Sequence, residues 1–205
     1  MPRRAALLVA LIALAAAGAE RRPAATISRS GALALTLPAD VLQSDEVKRQ
    51  LTSGLTTVFV LSVSAGDGNG TAKGGARIDV RYELWEEKYL VSATDISGHE
   101  RKVTLDSEAA LVRWWSENAL TVIQARKYGR DVDVQVKLKV LPFSSREQSD
   151  TQRWLARTLS AGGGGRENTP AQSAEILRII VETSIRRRPL LEYQWSVRAQ
   201  REAPP

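Results

Sequence analysis

The stretch Asp131-Val132-Asp133-Val134-Gln135-Val136-Lys137-Leu138-Lys139-Val140-Leu141 decides the fold class. Val132, Val134, Val136, Leu138 and Val140 alternate without a break with Asp133, Gln135, Lys137 and Lys139. Successive side chains of a strand point to opposite faces, so this pattern predicts a strand with one face in a core and the other in water. Pro142 closes it, because proline has no N–H to give to a ladder. Immediately upstream, residues 120–127 are also strand-like, and Gly129-Arg130 reads as a tight connection that makes the two segments a β-hairpin.

Further strands follow from the same reasoning. Residues 55–65 carry Val58, Phe59, Val60, Leu61 and Val63 behind the β-branched Thr56 and Thr57. Such near-continuous apolarity predicts burial on both faces. A loop with five glycines is expected over 66–75. Residues 76–95 then alternate: Ile78, Val80, Tyr82 and Leu84 share a face, and Asp79, Arg81 and Glu83 take the other. Trp85 begins a change of phase, and the pattern resumes at Tyr89 and Val91. Two antiparallel strands joined near 86–88 fit this, and so does one long bent strand. A turn at 96–99 leads to a short strand at 101–105. Leu33, Leu35 and Leu37 mark a first strand over 31–37, ended by Pro38, and Leu191, Tyr193, Trp195 and Val197 mark a last one.

Helices are predicted between these strands. The first covers 42–54, with Ser44 as N-cap, Asp45 and Glu46 in the first turn, Val47 and Leu51 inward and Gly54 as C-cap. The second covers 106–118, with Asp106 as N-cap and Leu111, Trp114, Trp115 and Asn118 at helical spacing. Two capping boxes precede a third that runs to about Leu159 and holds Trp154. After the break at Gly162–Gly165, Thr169-Pro170 opens a fourth, whose apolar side includes Ile176, Leu177 and Ile180 and which ends before Pro189. The expected fold is mainly β (α+β), an antiparallel β-sandwich of about 7–8 strands decorated with 3–4 short helices. It forms one domain over 31–199, between a flexible lead-in at 20–30 and a disordered tail at 200–205.

Composition bounds the chemistry. The chain has 205 residues, 43% apolar and 25% charged, which excludes a wholly disordered chain, a collagen and a multispan membrane protein. It has no cysteine, so disulfides and thiolate chemistry are excluded, and its one histidine, His99, excludes a two-histidine metal site. The net charge is +6. Its basic residues mostly alternate with acids, as in Arg126-Lys127-Tyr128-Gly129-Arg130-Asp131, and the dense run Arg186-Arg187-Arg188 lies between Glu182 and Glu192. No basic stripe interleaved with aromatics appears, so no nucleic-acid partner is expected.

Residues 1–19 read as a cleaved secretory signal peptide. Arg3 and Arg4 form the positive n-region, residues 5–17 an apolar h-region, and Ala17-Gly18-Ala19 a small-x-small cleavage site before Glu20. The 13-residue apolar run is shorter than the ~20 residues that span a bilayer. An uncleaved membrane anchor is the alternative; with cleavage, no transmembrane span remains. Cleavage removes Arg3 and Arg4, which lowers the net charge from +6 to +4. The expected location is periplasmic or secreted.

An ordered set of features resembles a family of exported proteobacterial proteins known only as a domain of unknown function. A first strand precedes a short helix ending Leu51-Thr52-Ser53-Gly54-Leu55 and a Val/Phe-rich strand. Then come an alternating strand with Arg81-Tyr82, the helix start Leu105-Asp106-Ser107-Glu108-Ala109-Ala110-Leu111, a strand ending Leu141-Pro142 and a helix bearing Trp154. The resemblance covers roughly residues 31–159; the last helix and strand depart from the family pattern. It implies an exported bacterial β-protein, often encoded beside nitrogen-regulation sensor kinases, and assigns no catalytic residues.

The candidate sites are few. Asp67, Asn69 and Thr71 stand at the first, third and fifth positions of a calcium-type loop, but the seventh is Lys73 and Ile78 stands where a bidentate glutamate belongs. A hairpin loop is the expected reading, and no metal or cofactor site is assigned. His99 lies in a turn with no Ser/His/Asp spacing around it. Asp131 and Asp133 share one strand face, and Glu83, Glu86 and Glu87 cluster near a turn; acids alternating with bases suit a solvated face. Five tryptophans, Trp85, Trp114, Trp115, Trp154 and Trp195, are the more distinctive feature. Adjacent Trp114 and Trp115 cannot face the same side of one helix, so one of them is a candidate for exposure. Trp114 and Trp115 with Arg186, Arg187 and Arg188 make the candidate binding surface, for an envelope protein or an anionic lipid. The functional expectation is an exported, non-enzymatic binding or accessory protein of the cell envelope. A carboxylate-dependent hydrolase of an envelope glycan and a peripheral lipid-binding protein are the alternatives.

Overall fold

A computed structural model of the chain describes residues 22–68, 70–129, 131–142 and 189–202. The element order is β1 (Ala24–Ile27), β2 (Leu33–Thr36), α1 (Asp40–Gln43), α2 (Asp45–Thr52), β3 (Thr57–Gly66), β4 (Thr71–Glu83), β5 (Lys88–Thr94), β6 (Glu100–Leu105), α3 (Glu108–Glu117), β7 (Leu120–Ile123), β8 (Asp133–Pro142), β9 (Leu191–Arg198) and β10 (Gln200–Arg201). The segment expected to be a signal peptide, the helices expected after Pro142, Trp154 and Arg186–Arg188 lie outside the described residues.

The strands form two sheets, as a mainly β, α+β fold requires. One has four short strands in the order β10-β1-β2-β7; the other has six in the order β6-β5-β4-β3-β8-β9. Every pairing is antiparallel except that of β1 with β10. β3 is the centre of the larger sheet. Phe59 stands opposite Ile78 of β4 on one side and Val140 of β8 on the other. Its odd-numbered side chains, Phe59, Leu61, Val63 and Ala65, join Ile27, Leu33 and Leu35 of the smaller sheet in one core. Its even-numbered Val58 and Val60 are also buried, with Leu141, on the opposite face. Burial on both faces thus holds for the first half of this strand, which is why its sequence there shows no alternation.

Several expectations are corrected. The segment around 120–127 does not form a hairpin with β8. β7 pairs with β2 in the smaller sheet, whereas β8 lies between β3 and β9 in the larger one. Gly74 permits this arrangement: a Cβ there would lie 1.9 Å from the Val122 carbonyl oxygen of β7, so only glycine lets the two sheets approach at that point. The glycine loop is also shorter than expected, since β3 extends to Gly66 and β4 begins at Thr71. Residues Ala24–Ile27 of the supposed lead-in are a strand, and Gln200 and Arg201 of the supposed tail pair with Thr26 and Ile27. These two strands bring the total among the described residues to ten. The helix expected over 42–54 is two helices, with Ser44 capping the second by accepting from the Val47 N–H. The cap of α3 is Ser107, not Asp106; its hydroxyl accepts from the Ala110 N–H at 3.2 Å.

Residues 76–95 resolve into the antiparallel pair β4–β5, with Tyr82 opposite Tyr89 and Glu83 opposite Lys88. The two tyrosine rings lie 4.8 Å apart, centre to centre, and brace the hairpin from its inner face. Its turn is Leu84-Trp85-Glu86-Glu87. No helix of the described residues is long and apolar enough to cross a membrane.

Candidate functional site

The tryptophans separate sharply. Trp115 is 2% exposed, packs edge-on against Phe59 at 4.7 Å, and donates its Nε1–H to the Pro38 carbonyl at 3.1 Å. A buried indole N–H with a partner is a core residue, so Trp115 leaves the candidate binding surface. Trp114 is half-buried against the core. Trp195 stacks on Tyr193 of the same strand at 5.4 Å, and both are half-buried. Trp85 is 94% exposed.

Trp85 does not stand alone. Its neighbour Leu84 is 58% exposed and Leu55 is 50% exposed. Leu84 packs beside Gly54, where an added Cβ would lie 3.0 Å from Leu84 Cδ1. The α2–β3 connection and the β4–β5 turn therefore meet at Gly54 and Leu84, and the exposed Leu55, Leu84 and Trp85 all lie on these two segments. The connection turns sharply because Gly54 adopts φ +76°. The turn needs a second such conformation, and Glu87 supplies it at φ +53°, the only non-glycine residue with positive φ among the described residues. Holding a glutamate there costs about 1–2 kcal/mol, which the flanking ladder and tyrosine pair absorb. Glu83 is tied to Arg81 across one strand face, whereas Glu86 and Glu87 are exposed and form no ion pair among the described residues. Isolated exposed apolar side chains are common, but an almost fully exposed tryptophan on a braced turn, with two exposed leucines on the same two segments, is the distinctive surface feature of the described residues and the candidate site.

The remaining candidates take structural roles. Asp67 Oδ2 accepts from the Gly129 N–H at 2.8 Å, and Arg201 donates to the carbonyls of Tyr128 and Gly129. The glycine turn is thereby tied to residues 128–129 and to β10. Among the described residues, no three Asp, Glu or His side chains are grouped as metal ligands. His99 is exposed, and its backbone N–H donates to Asp95 Oδ1, which also accepts from Ser97 and so organises the turn. Asp131 and Asp133 are exposed and both lie 3.8 Å from Arg198.

One acidic network is less simple. On the outer face of the larger sheet, Arg77 Nε donates to Asp79 Oδ1 at 2.8 Å, and Ser92 donates to Glu100 at 2.6 Å, with Lys102 3.0 Å from Glu100. Burial pushes the Asp79 carboxyl up, against the pull of Arg77 and with a small push from Glu100. The Ser92 hydroxyl and Lys102 hold Glu100 down. Two acids on one face with opposite shifts are a pattern that acid–base catalysis uses.

Comparison with family models, with curated proteins and with solved structures found no match to this chain.

Proposed function

We propose that the chain is an exported protein, periplasmic or secreted, that serves without catalysis as a binding or accessory module of the cell envelope. The observation that carries this reading is the apolar tip Leu55, Leu84 and Trp85 on a braced, strained turn. Proteins keep such groups in water where a partner covers them. The n-region, h-region and Ala17-Gly18-Ala19 site support export. The test is affinity capture from envelope extract with the wild type and with Trp85→Ala, together with the mass of the protein's N-terminus in that fraction. A component held by the wild type and lost by the variant, and an N-terminus at Glu20, are expected. Equal capture by both, or an intact Met1, contradicts the reading.

A second reading, a carboxylate-dependent hydrolase of an envelope glycan, draws on the opposed Asp79 and Glu100. Those acids sit on a sheet face, and Asp79 is engaged by Arg77, so they are better suited to holding β4, β5 and β6 together. Incubation with purified peptidoglycan discriminates. Soluble fragments released by the wild type and not by Asp79→Asn or Glu100→Gln would establish the hydrolase.

A further inference from the structure

We infer that the β4–β5 tip is the docking knob for a protein partner that offers an apolar pocket rimmed by lysine or arginine, an inference that rests on the binding role proposed above. Three observations select this partner. The tip is convex, since the turn Leu84–Glu87 projects past the last ladder pair, Glu83 with Lys88, so its complement is concave. Its anchor is a tryptophan, the side chain that most often dominates the energy of a protein interface when a pocket strips its water. Its rim is acidic: Glu86 and Glu87, exposed and in no ion pair among the described residues, follow Trp85 against the single base Lys88, while Glu83 is matched by Arg81.

That acidic rim decides between a protein and a lipid surface. Segments that dip tryptophan into a membrane interface surround it with lysine and arginine, which anionic headgroups attract. Glu86 and Glu87 beside Trp85 do the reverse and would be repelled. A basic pocket rim gains from them, and the gain is largest at low salt. The apolar contact is small, one indole and two leucines, which points to a transient complex.

The experiment pans a phage-displayed library of random peptides against the purified protein, then measures selected peptides by calorimetry. Peptides that combine aromatic or aliphatic residues with lysine or arginine are expected. Trp85→Ala should weaken them by about tenfold or more. The double variant Glu86→Gln, Glu87→Gln should weaken them less and flatten their salt dependence. Trp85→Phe should keep most of the binding, and circular dichroism should be the same for all four proteins. Peptides that bind Trp85→Ala as well as the wild type, an acidic consensus, or no selected peptide overturns the inference. So does Trp85-dependent binding to phosphatidylglycerol vesicles, or self-association of the protein that Trp85→Ala abolishes. Wild-type-like peptide binding by Trp85→Ala removes the tip but leaves a binding module; peptidoglycan cleavage that needs Asp79 removes the binding module itself.

Discussion

Leu84 rests on Gly54: the space where a glycine lacks its Cβ is filled to within 3.0 Å by Leu84 Cδ1. This contact joins the turn that bears Trp85 to the start of β3, the central strand of the larger sheet. Gly54→Ala would place a methyl there and force alanine to φ +76°. We expect it to lower the free energy of unfolding by about 1–2 kcal/mol in urea titration and to weaken any ligand that needs Trp85. An unchanged midpoint would mean that the turn does not depend on this contact.

The two best-placed tryptophans should behave as opposites. Trp115→Ala removes a buried ring and leaves the Pro38 carbonyl without its donor, so a loss of about 3–5 kcal/mol is expected. Trp85→Ala should stay within about 0.5 kcal/mol of the wild type, because the side chain is in water. Thermal unfolding followed by circular dichroism checks both. A destabilised Trp85→Ala would show that the tip is packed against something in the chain.

Gly74 sets the distance between the sheets at β7. Any side chain there meets the Val122 carbonyl, so Gly74→Val must push β7 outward or break its pairing with β2. We expect a loss of at least about 1–3 kcal/mol, as for an overpacked core, and faster amide exchange in residues 120–123 than in β3. Equal protection of the two strands would contradict the close approach.

The opposed carboxylates give a dependence on pH whose sign can be worked out. Glu100 is held below its ordinary value when folded, so its stabilisation is fully present above that value and is lost as pH falls through the lowered one. Asp79 is held above its ordinary value, so the folded state keeps the proton longer, and stability falls as pH rises from the ordinary value through the raised one. Urea midpoints between about pH 3 and 7 should therefore lose their acid-side decline in part in Glu100→Gln, and lose a decline toward neutrality in Asp79→Asn. Parallel curves for all three proteins would show that neither group is shifted.

What the sequence revealed follows from how many residues each element uses to announce itself. Residues 131–141 were legible because five consecutive inward positions are apolar and every intervening one up to Lys139 is polar, and the structure places Val134, Val136, Leu138 and Val140 in the core. Its partner was not legible. Closeness in sequence suggested a hairpin, but the absence of a Cβ at Gly74 lets β7 lie in the other sheet, and that is a tertiary fact. β1 and β10 were too short, at four and two residues, to display a period. A helix must turn adjacent Trp114 and Trp115 to different sides, and α3 does so, burying Trp115 and leaving Trp114 half-buried. The signal for Trp85 was also present: the alternation broke there, ahead of Glu86-Glu87. A bent strand explained that break as well as a turn did, and only the pairing of Glu83 with Lys88 puts Trp85 outside.

The most direct test of the central claim replaces Trp85 with an aromatic photo-crosslinking amino acid, a benzoyl-substituted phenylalanine, in the full chain, irradiates intact cells, and identifies the joined peptide by mass spectrometry. Lys102, exposed on the outer sheet face, serves as the control position. The account predicts an adduct from position 85, and none from 102, whose joined peptide belongs to another envelope protein and combines apolar residues with lysine or arginine. The same adducts from both positions, an adduct only with lipid or with a second copy of the chain, or no adduct at all would contradict it.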